Sequence, residues 1–178
     1  AYNPNQQWAI ANIKYQFLSD GQTVAAGESS LLPGEKRLLT VYGQKSDSLL
    51  QVPNTVNVFD YQWRKVTANL TDAWQYPQPA QFQARRVVDS SGAPSVVPAR
   101  VVWSATNNTG ANLAVVRWQV ILRSGGTVVY VGDYQAEKLA YRETRSYSLA
   151  VSDTISRVDT VEVHPVYDMF DSANTFVP

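Results

Sequence analysis

One β pattern is written twice in this chain, and the repetition limits the fold more than any single motif does. The first copy runs through Asn12-Ile13-Lys14-Tyr15-Gln16-Phe17-Leu18, a turn at Gly21, then Gly34-Glu35-Lys36-Arg37-Leu38-Leu39-Thr40-Val41. The second runs through Val115-Val116-Arg117-Trp118-Gln119-Val120-Ile121, a turn at Gly125-Gly126, then Arg142-Glu143-Thr144-Arg145-Ser146-Tyr147-Ser148-Leu149. Tyr15 and Phe17 map onto Trp118 and Val120 at a shift of 103 residues; Glu35, Arg37 and Leu39 map onto Glu143, Arg145 and Tyr147 at 108. Val56 and Val58 align with Val161 and Val163 at 105. The shifts differ by a few residues that fall in turns, where insertion costs least. Two copies are too few for a solenoid and predict two tandem modules.

The period within each copy is two. Ile13, Tyr15 and Phe17 are apolar with polar Asn12, Lys14 and Gln16 between them, and Val116, Trp118, Val120 and Leu122 repeat the alternation. A strand with one buried face produces this pattern, and β-branched and aromatic residues suit it. Turns fall at Ser19-Asp20-Gly21-Gln22, Leu32-Pro33-Gly34, Asn107-Asn108-Thr109-Gly110 and Ser124-Gly125-Gly126, rich in residues that accept positive φ or preset a turn. No helical period extends beyond one or two turns. The expected fold is all-β: two tandem immunoglobulin-like β-sandwich domains, 1–76 with its linker and 77–178, joined at Pro77-Gln78-Pro79. Strand-like segments 82–88 and 97–105 precede the second copy, with Val102 and Trp103 available to a core; only Ala1 and Tyr2 precede the turn Asn3-Pro4-Asn5 of the first. The first domain is therefore expected to lack its opening strands. Either preceding residues or another chain, by strand complementation, would supply them.

Composition narrows the partners. Fifteen basic residues balance fifteen acidic ones, so no net field recruits nucleic acid or an anionic membrane. There is no cysteine, which removes thiol catalysis, disulfides and thiolate metal sites. At 44% hydrophobic and 17% charged the chain can build a core, yet no apolar run reaches the roughly 18 residues of a spanning helix. The chain opens on Ala1, which leaves an upstream signal or anchor open.

The strings Asn3-Pro4-Asn5, Tyr15-Gln16-Phe17-Leu18-Ser19-Asp20-Gly21 and Leu32-Pro33-Gly34-Glu35-Lys36-Arg37 resemble the FxLYD-type immunoglobulin-like domains of bacterial surface proteins, in the tandem form found in membrane-anchored proteins. Trp63-Arg64-Lys65-Val66 is similar to the tryptophan-lysine strand that leads into the second domain there. Ser19 stands where the family motif has tyrosine, and Ser124-Gly125-Gly126 replaces the Asp-Gly turn in copy two. The resemblance implies an extracytoplasmic location and no catalytic residues.

The residues themselves offer little chemistry. His164 is the single histidine, with Asp168 near it in sequence; an imidazole at a strand end needs a positioned partner before it can act as a base or ligand. Asp168 and Asp171 lack the calcium-loop pattern. There is no Gly-x-Ser-x-Gly elbow, and Gly125-Gly126 joins strands rather than opening a phosphate-binding helix. The expectation is a non-enzyme with no cofactor and no metal site. Asn69-Leu70-Thr71 and Asn107-Asn108-Thr109 match the glycosylation triplet without carrying weight.

Aromatics are the one ambiguous signal. Trp118 and Tyr15 have inward parity, whereas Trp8, Trp63, Trp74 and Tyr76 are hard to bury together. They would form an interface between the two domains, a contact with a protein partner, or a stacking surface for sugar rings. The functional expectation is a structural or adhesive module of the cell surface, with a protein partner or self-association. The alternatives are a subunit of a surface polymer assembled by strand complementation, with the C-terminal Asn174-Thr175-Phe176-Val177-Pro178 as a candidate donor, and a carbohydrate-binding module.

Overall fold

The computed structural model describes residues 1–41, 53–66, 74–75, 80–84, 86–88, 95–152, 154–155, 157–166 and 170–177. Among them the regular structure is β-strand throughout, apart from one 3₁₀ turn at Ser172–Asn174. The chain divides into two compact units, 1–71 and 72–178.

In the first unit, β1 (Trp8–Ser19) lies between β2 (Gln22–Leu31) and β3 (Thr55–Lys65), all antiparallel. The β1–β2 hairpin closes through Asp20 and Gly21, with φ of 49° and 80°. A two-residue loop with both central φ positive matches the right-handed strand twist, and Asp-Gly is a preferred pair for it. Gly125 and Gly126, at 56° and 80°, make the same turn in the second unit. Bulges interrupt the first sheet near Ala11 on β1 and Phe59 on β3. The pairing sets one row of residues on a common face: Leu31, Ile10 and Trp63; Ser29, Ile13 and Tyr61; Gly27, Tyr15 and Val58; Ala25, Phe17 and Val56. Ile10, Ile13 and Leu31 form its small core. The Tyr15 ring lies across Gly27, where a Cβ would meet its hydroxyl at 2.6 Å, and that hydroxyl donates to the Thr40 carbonyl at 2.8 Å.

The second unit is larger. β9 (Leu113–Ser124) lies between β10 (Thr127–Leu139) and β12 (Thr160–Val166). A facing sheet has β8 (Arg100–Asn107) paired with β11 (Thr144–Ala150), with β4 (Trp74–Gln75) and with β5 (Gln81–Gln83). A separate hairpin joins β6 (Arg86–Val88) to β7 (Ser95–Val97). Val101, Trp103 and Ala105 of β8 and Tyr147 of β11 pack against Leu113, Val116, Trp118, Val120 and Leu122 of β9 in one sandwich-like core. Trp103 stacks on Tyr147 at 5.5 Å between centroids and meets Tyr134 edge-on at 5.4 Å, the offset and T-shaped geometries that aromatic quadrupoles favour.

The inward parity of Tyr15 and Trp118 holds, since both are buried. Four details differ from the sequence reading. Trp103 rather than Val102 faces the core, with Val101 and Ala105. Segment 37–41 forms no strand, though Leu39 and Val41 continue the alternation. Val56 lies opposite Phe17 as Val163 lies opposite Val120, so the third shift is 107 residues, not 105. Trp74 and Gln75 pair with Asn107 and Thr106, which puts them in the second unit; Pro77-Gln78-Pro79 lie outside the described residues.

Candidate functional site: an uncovered sheet face

The two copies share a polar corner that sequence reasoning took for an ordinary turn. Asn107 is fully buried. Its amide donates to the carbonyls of Ala111 at 2.9 Å, Leu139 at 3.0 Å and Ala140 at 3.2 Å, while Oδ1 accepts from the Thr109 N–H at 3.0 Å. Asn3 repeats this with Trp8 at 2.7 Å, Leu31 at 3.4 Å and Leu32 at 3.1 Å, and Asn5 N–H at 3.2 Å. Beside each corner an arginine Nε donates to a glutamate at 2.9 Å: Arg145 to Glu143 and Arg37 to Glu35. The second glutamate oxygen accepts from the Ala140 N–H at 2.9 Å in one copy and from the Leu32 N–H at 2.7 Å in the other. Burial works against Glu143 ionisation, but the Ala140 N–H and the Arg145 guanidinium outweigh it and hold the carboxyl below its ordinary range. The two asparagines at a shift of 104 were the available signal. A buried Asn with this many partners is a structural clasp, and Asn107 offers no glycan acceptor.

What the corners support differs between copies. In the second unit β8 runs out of the corner across the inner face of β9. In the first unit residues 1–3 repeat the end of that strand: Tyr2 bridges Lys36, Asn3 N–H donates to the Glu35 carbonyl at 3.0 Å and Arg37 N–H to the Ala1 carbonyl at 2.9 Å. Thr106 opposite Thr144, and Asn107 N–H to the Glu143 carbonyl at 3.0 Å, are the equivalents.

Val56, Val58, Tyr61 and Trp63 lie on the apolar row, with Trp8 diagonal to Trp63, and all five are 42–57% exposed. Val161 and Val163, on the matching strand β12, are half-buried against the second core. The opposite face of the first sheet is polar, with Lys14 and Asp60 paired at 3.4 Å. Covering the remaining area of each exposed side chain is worth about 1 kcal/mol, so the row of five carries about 5 kcal/mol of drive toward a partner before ordering costs. Contiguous apolar surface of this kind marks interaction sites.

Of the four aromatics singled out by sequence, the structure thus brings Trp8 and Trp63 together. The side chain of Trp74 and all of Tyr76 lie outside the described residues. Tyr61, Val58 and Val56 belong to the site and were missed, because alternation shows which face a residue takes but not whether anything covers it. Tyr61 and Trp63 meet at 79°, 6.2 Å between centroids, so they present no shared flat platform for a row of sugar rings.

A groove of about 300 Å³ in the second unit collects Trp103, Ser104, Val161, Val163, Glu162 and His164. Ser, His and Glu are the residue types of a nucleophilic relay. Here His164 Nε2 meets Glu162 at 3.3 Å, but no hydrogen bond joins Ser104 to His164. Glu162 also accepts from Arg123 Nε at 2.6 Å, and this bond, with His164 adding to it, holds the carboxyl below its ordinary range despite partial burial. The relay is not assembled. Asp168 lies outside the described residues. Among the described residues no three His, Cys, Asp or Glu side chains gather as metal ligands, and no helix is long and apolar enough to cross a membrane.

Comparison with family models, curated proteins and solved structures returns no match.

Proposed function

We propose that this chain is a non-enzymatic module of a cell surface, built on immunoglobulin-like sandwiches, whose first unit presents an apolar sheet face to a protein partner. The row of Trp8, Trp63, Tyr61, Val58 and Val56 carries this reading: all five are substantially exposed, whereas Val163, the counterpart of Val56, packs half-buried against the second core. Zero formal charge and the absence of cysteine agree with a partner held by packing rather than by charge or thiol chemistry. The resemblance to FxLYD-type domains supports the extracytoplasmic placement. A second reading, a surface-polymer subunit assembled by strand complementation, draws on the same face. It gains nothing from the C-terminal tail: Thr175 bridges Leu113 and Phe176 N–H donates to the Asn112 carbonyl at 3.1 Å, within the same unit.

Accessibility of the face tests the reading. In ¹⁵N-tryptophan spectra a soluble paramagnetic probe should broaden the indole signals of Trp8 and Trp63 and spare those of Trp103 and Trp118. Protection of Trp8 and Trp63 to the level of Trp118 would show the face already covered and end the proposal.

A further inference from the structure

We propose that the exposed row on β3 is a two-fold interface, covered by the same row of a second copy of this chain, stacked sheet on sheet with the strands antiparallel. The inference rests on the reading above and names the partner of that site. It comes from the order of residues along β3. The bulge at Phe59 puts one extra residue near the middle of the strand, so even-numbered residues before it share a face with odd-numbered ones after it. The row therefore reads Asn54, Val56, Val58, Tyr61, Trp63, Lys65. Turned end for end about an axis through the bulge, it sets Val58 of one copy over Tyr61 of the other, Val56 over Trp63, and Asn54 over Lys65. Two small side chains meet two large ones, so the facing sheets keep one spacing, about 10 Å, along the whole row. Stacked head to head, valine on valine and tryptophan on tryptophan, the same sheets would splay at one end. Halves that complement each other are what a two-fold interface requires, since each residue that docks must also receive.

Charge and area agree with a second copy. Lys65, exposed at the bulky end of the row, has no ion-pair partner among the described residues. At the small end the Asp20 carboxylate is met, among the described residues, by the Asn54 amide alone, at 3.4 Å. The antiparallel stack brings each lysine beside the other copy's aspartate, once at either end. Trp8, opposite Lys65 in the ladder, widens the patch beside Trp63. Half-exposed, the five apolar side chains withdraw on the order of 500 Å² per copy from water, about 1,000 Å² for the pair, the lower bound of a specific interface. The dimer is accordingly weak, with a dissociation constant on the order of 100 μM. It is also closed: each copy uses this face once, and growth stops at two.

The test is sedimentation velocity on the whole chain from about 10 μM to about 1 mM, with the ¹⁵N-tryptophan spectrum and the paramagnetic probe read at the same concentrations. The mass should climb from one chain toward two, and the Trp8 and Trp63 indoles should lose accessibility in step, with Trp118 unmoved. Trp63→Ser, or Val58→Ser should the first variant misfold, should weaken association about tenfold. Charge supplies the readout specific to the antiparallel stack. Lys65→Glu and Asp20→Lys should each weaken self-association severalfold, and mixing the two variants should restore it, because both ends then pair opposite signs. Lysine fits the Asp20 backbone at a φ of 49°, as Lys138 does at 50°. Four outcomes overturn the proposal: a doubling that survives both substitutions in the row, growth beyond two copies, no recovery on mixing, or a single-chain mass at about 1 mM. The last, with Trp8 and Trp63 accessible, would leave the interaction reading standing. Protection of both indoles in a single-chain species at about 10 μM would end that reading as well.

Discussion

The two units share a hairpin turn, a clasp and a strand order around their central strands, yet among the described residues one closes over its apolar face and the other leaves its β3 row exposed. In the second unit, described residues of β8, β9, β10 and β11 converge on one continuous core around Trp103, Trp118 and Tyr147. In the first, the described core is Ile10, Ile13 and Leu31, with Tyr15 folded over Gly27 beside it. The same hairpin and polar corner thus accompany a large described core in one unit and a small one in the other; the facing sheet of the second unit adds burial, which is where most stability comes from.

The clasp is the most damaging place to break the comparison. Asn107→Ala removes three donations at once, among them the one to the buried Leu139 carbonyl, and should destabilise the second unit by about 3 kcal/mol, read by denaturant melts followed through the Trp103 and Trp118 indoles. A loss below about 1 kcal/mol would mean the corner is decoration. Gly27→Ala comes next. Its Cβ would meet the Tyr15 ring at 2.6–2.7 Å, forcing that ring off its Thr40 bond at a cost of about 2 kcal/mol to the first unit. Hydrogen exchange along β1 would report it, and unchanged protection would contradict the packing described.

The sharpest contrast uses matched positions. Val163→Ser should cost about 1–2 kcal/mol, whereas Val56→Ser, opposite the equivalent residue of β1, should stay within about 0.5 kcal/mol; equal costs would show the first face covered. The smallest effect expected is in alkali. Burial pushes the Tyr147 hydroxyl up to about 12, with Arg145 opposing and Glu143 and Tyr134 adding to the rise. A pKa raised on folding contributes stability that is whole below the unfolded value near 10 and fades as pH climbs through about 12. Melts of the second unit between these limits should steepen with pH. Tyr147→Phe should remove most of the slope, leaving the smaller part due to Tyr130, which burial and then Asp133 raise in the same direction. An unchanged slope in the variant would place the effect elsewhere.

Much of this architecture is legible in the residues. Period two shows which side chains of β1 and β9 point inward, and the repeat relates the two sheets. The misses have physical causes. A slip of two residues preserves every face, so hydropathy alone could not choose between 105 and 107 for the β3–β12 correspondence; only the ladder does. Val102 and Trp103 are adjacent in a run apolar at both parities, and packing decided between them. Gln119 and Ile121, on the expected outer face of β9, are buried, because a central strand is flanked on both sides. The Asn3 and Asn107 clasps resemble any polar turn until their carbonyl partners, 28 to 33 residues away for the leucine, alanine and second-turn contacts, are known.

The kink at Phe59 has a bearing on solubility. A long apolar border strand is normally an invitation to endless lateral growth, since each newcomer exposes a fresh border of the same kind. On β3 the extra residue breaks the even spacing of the ladder between Val58 and Asp60, so a flat neighbour cannot match it along its whole length. The break thus works against lateral stacking of like strands along this exposed row.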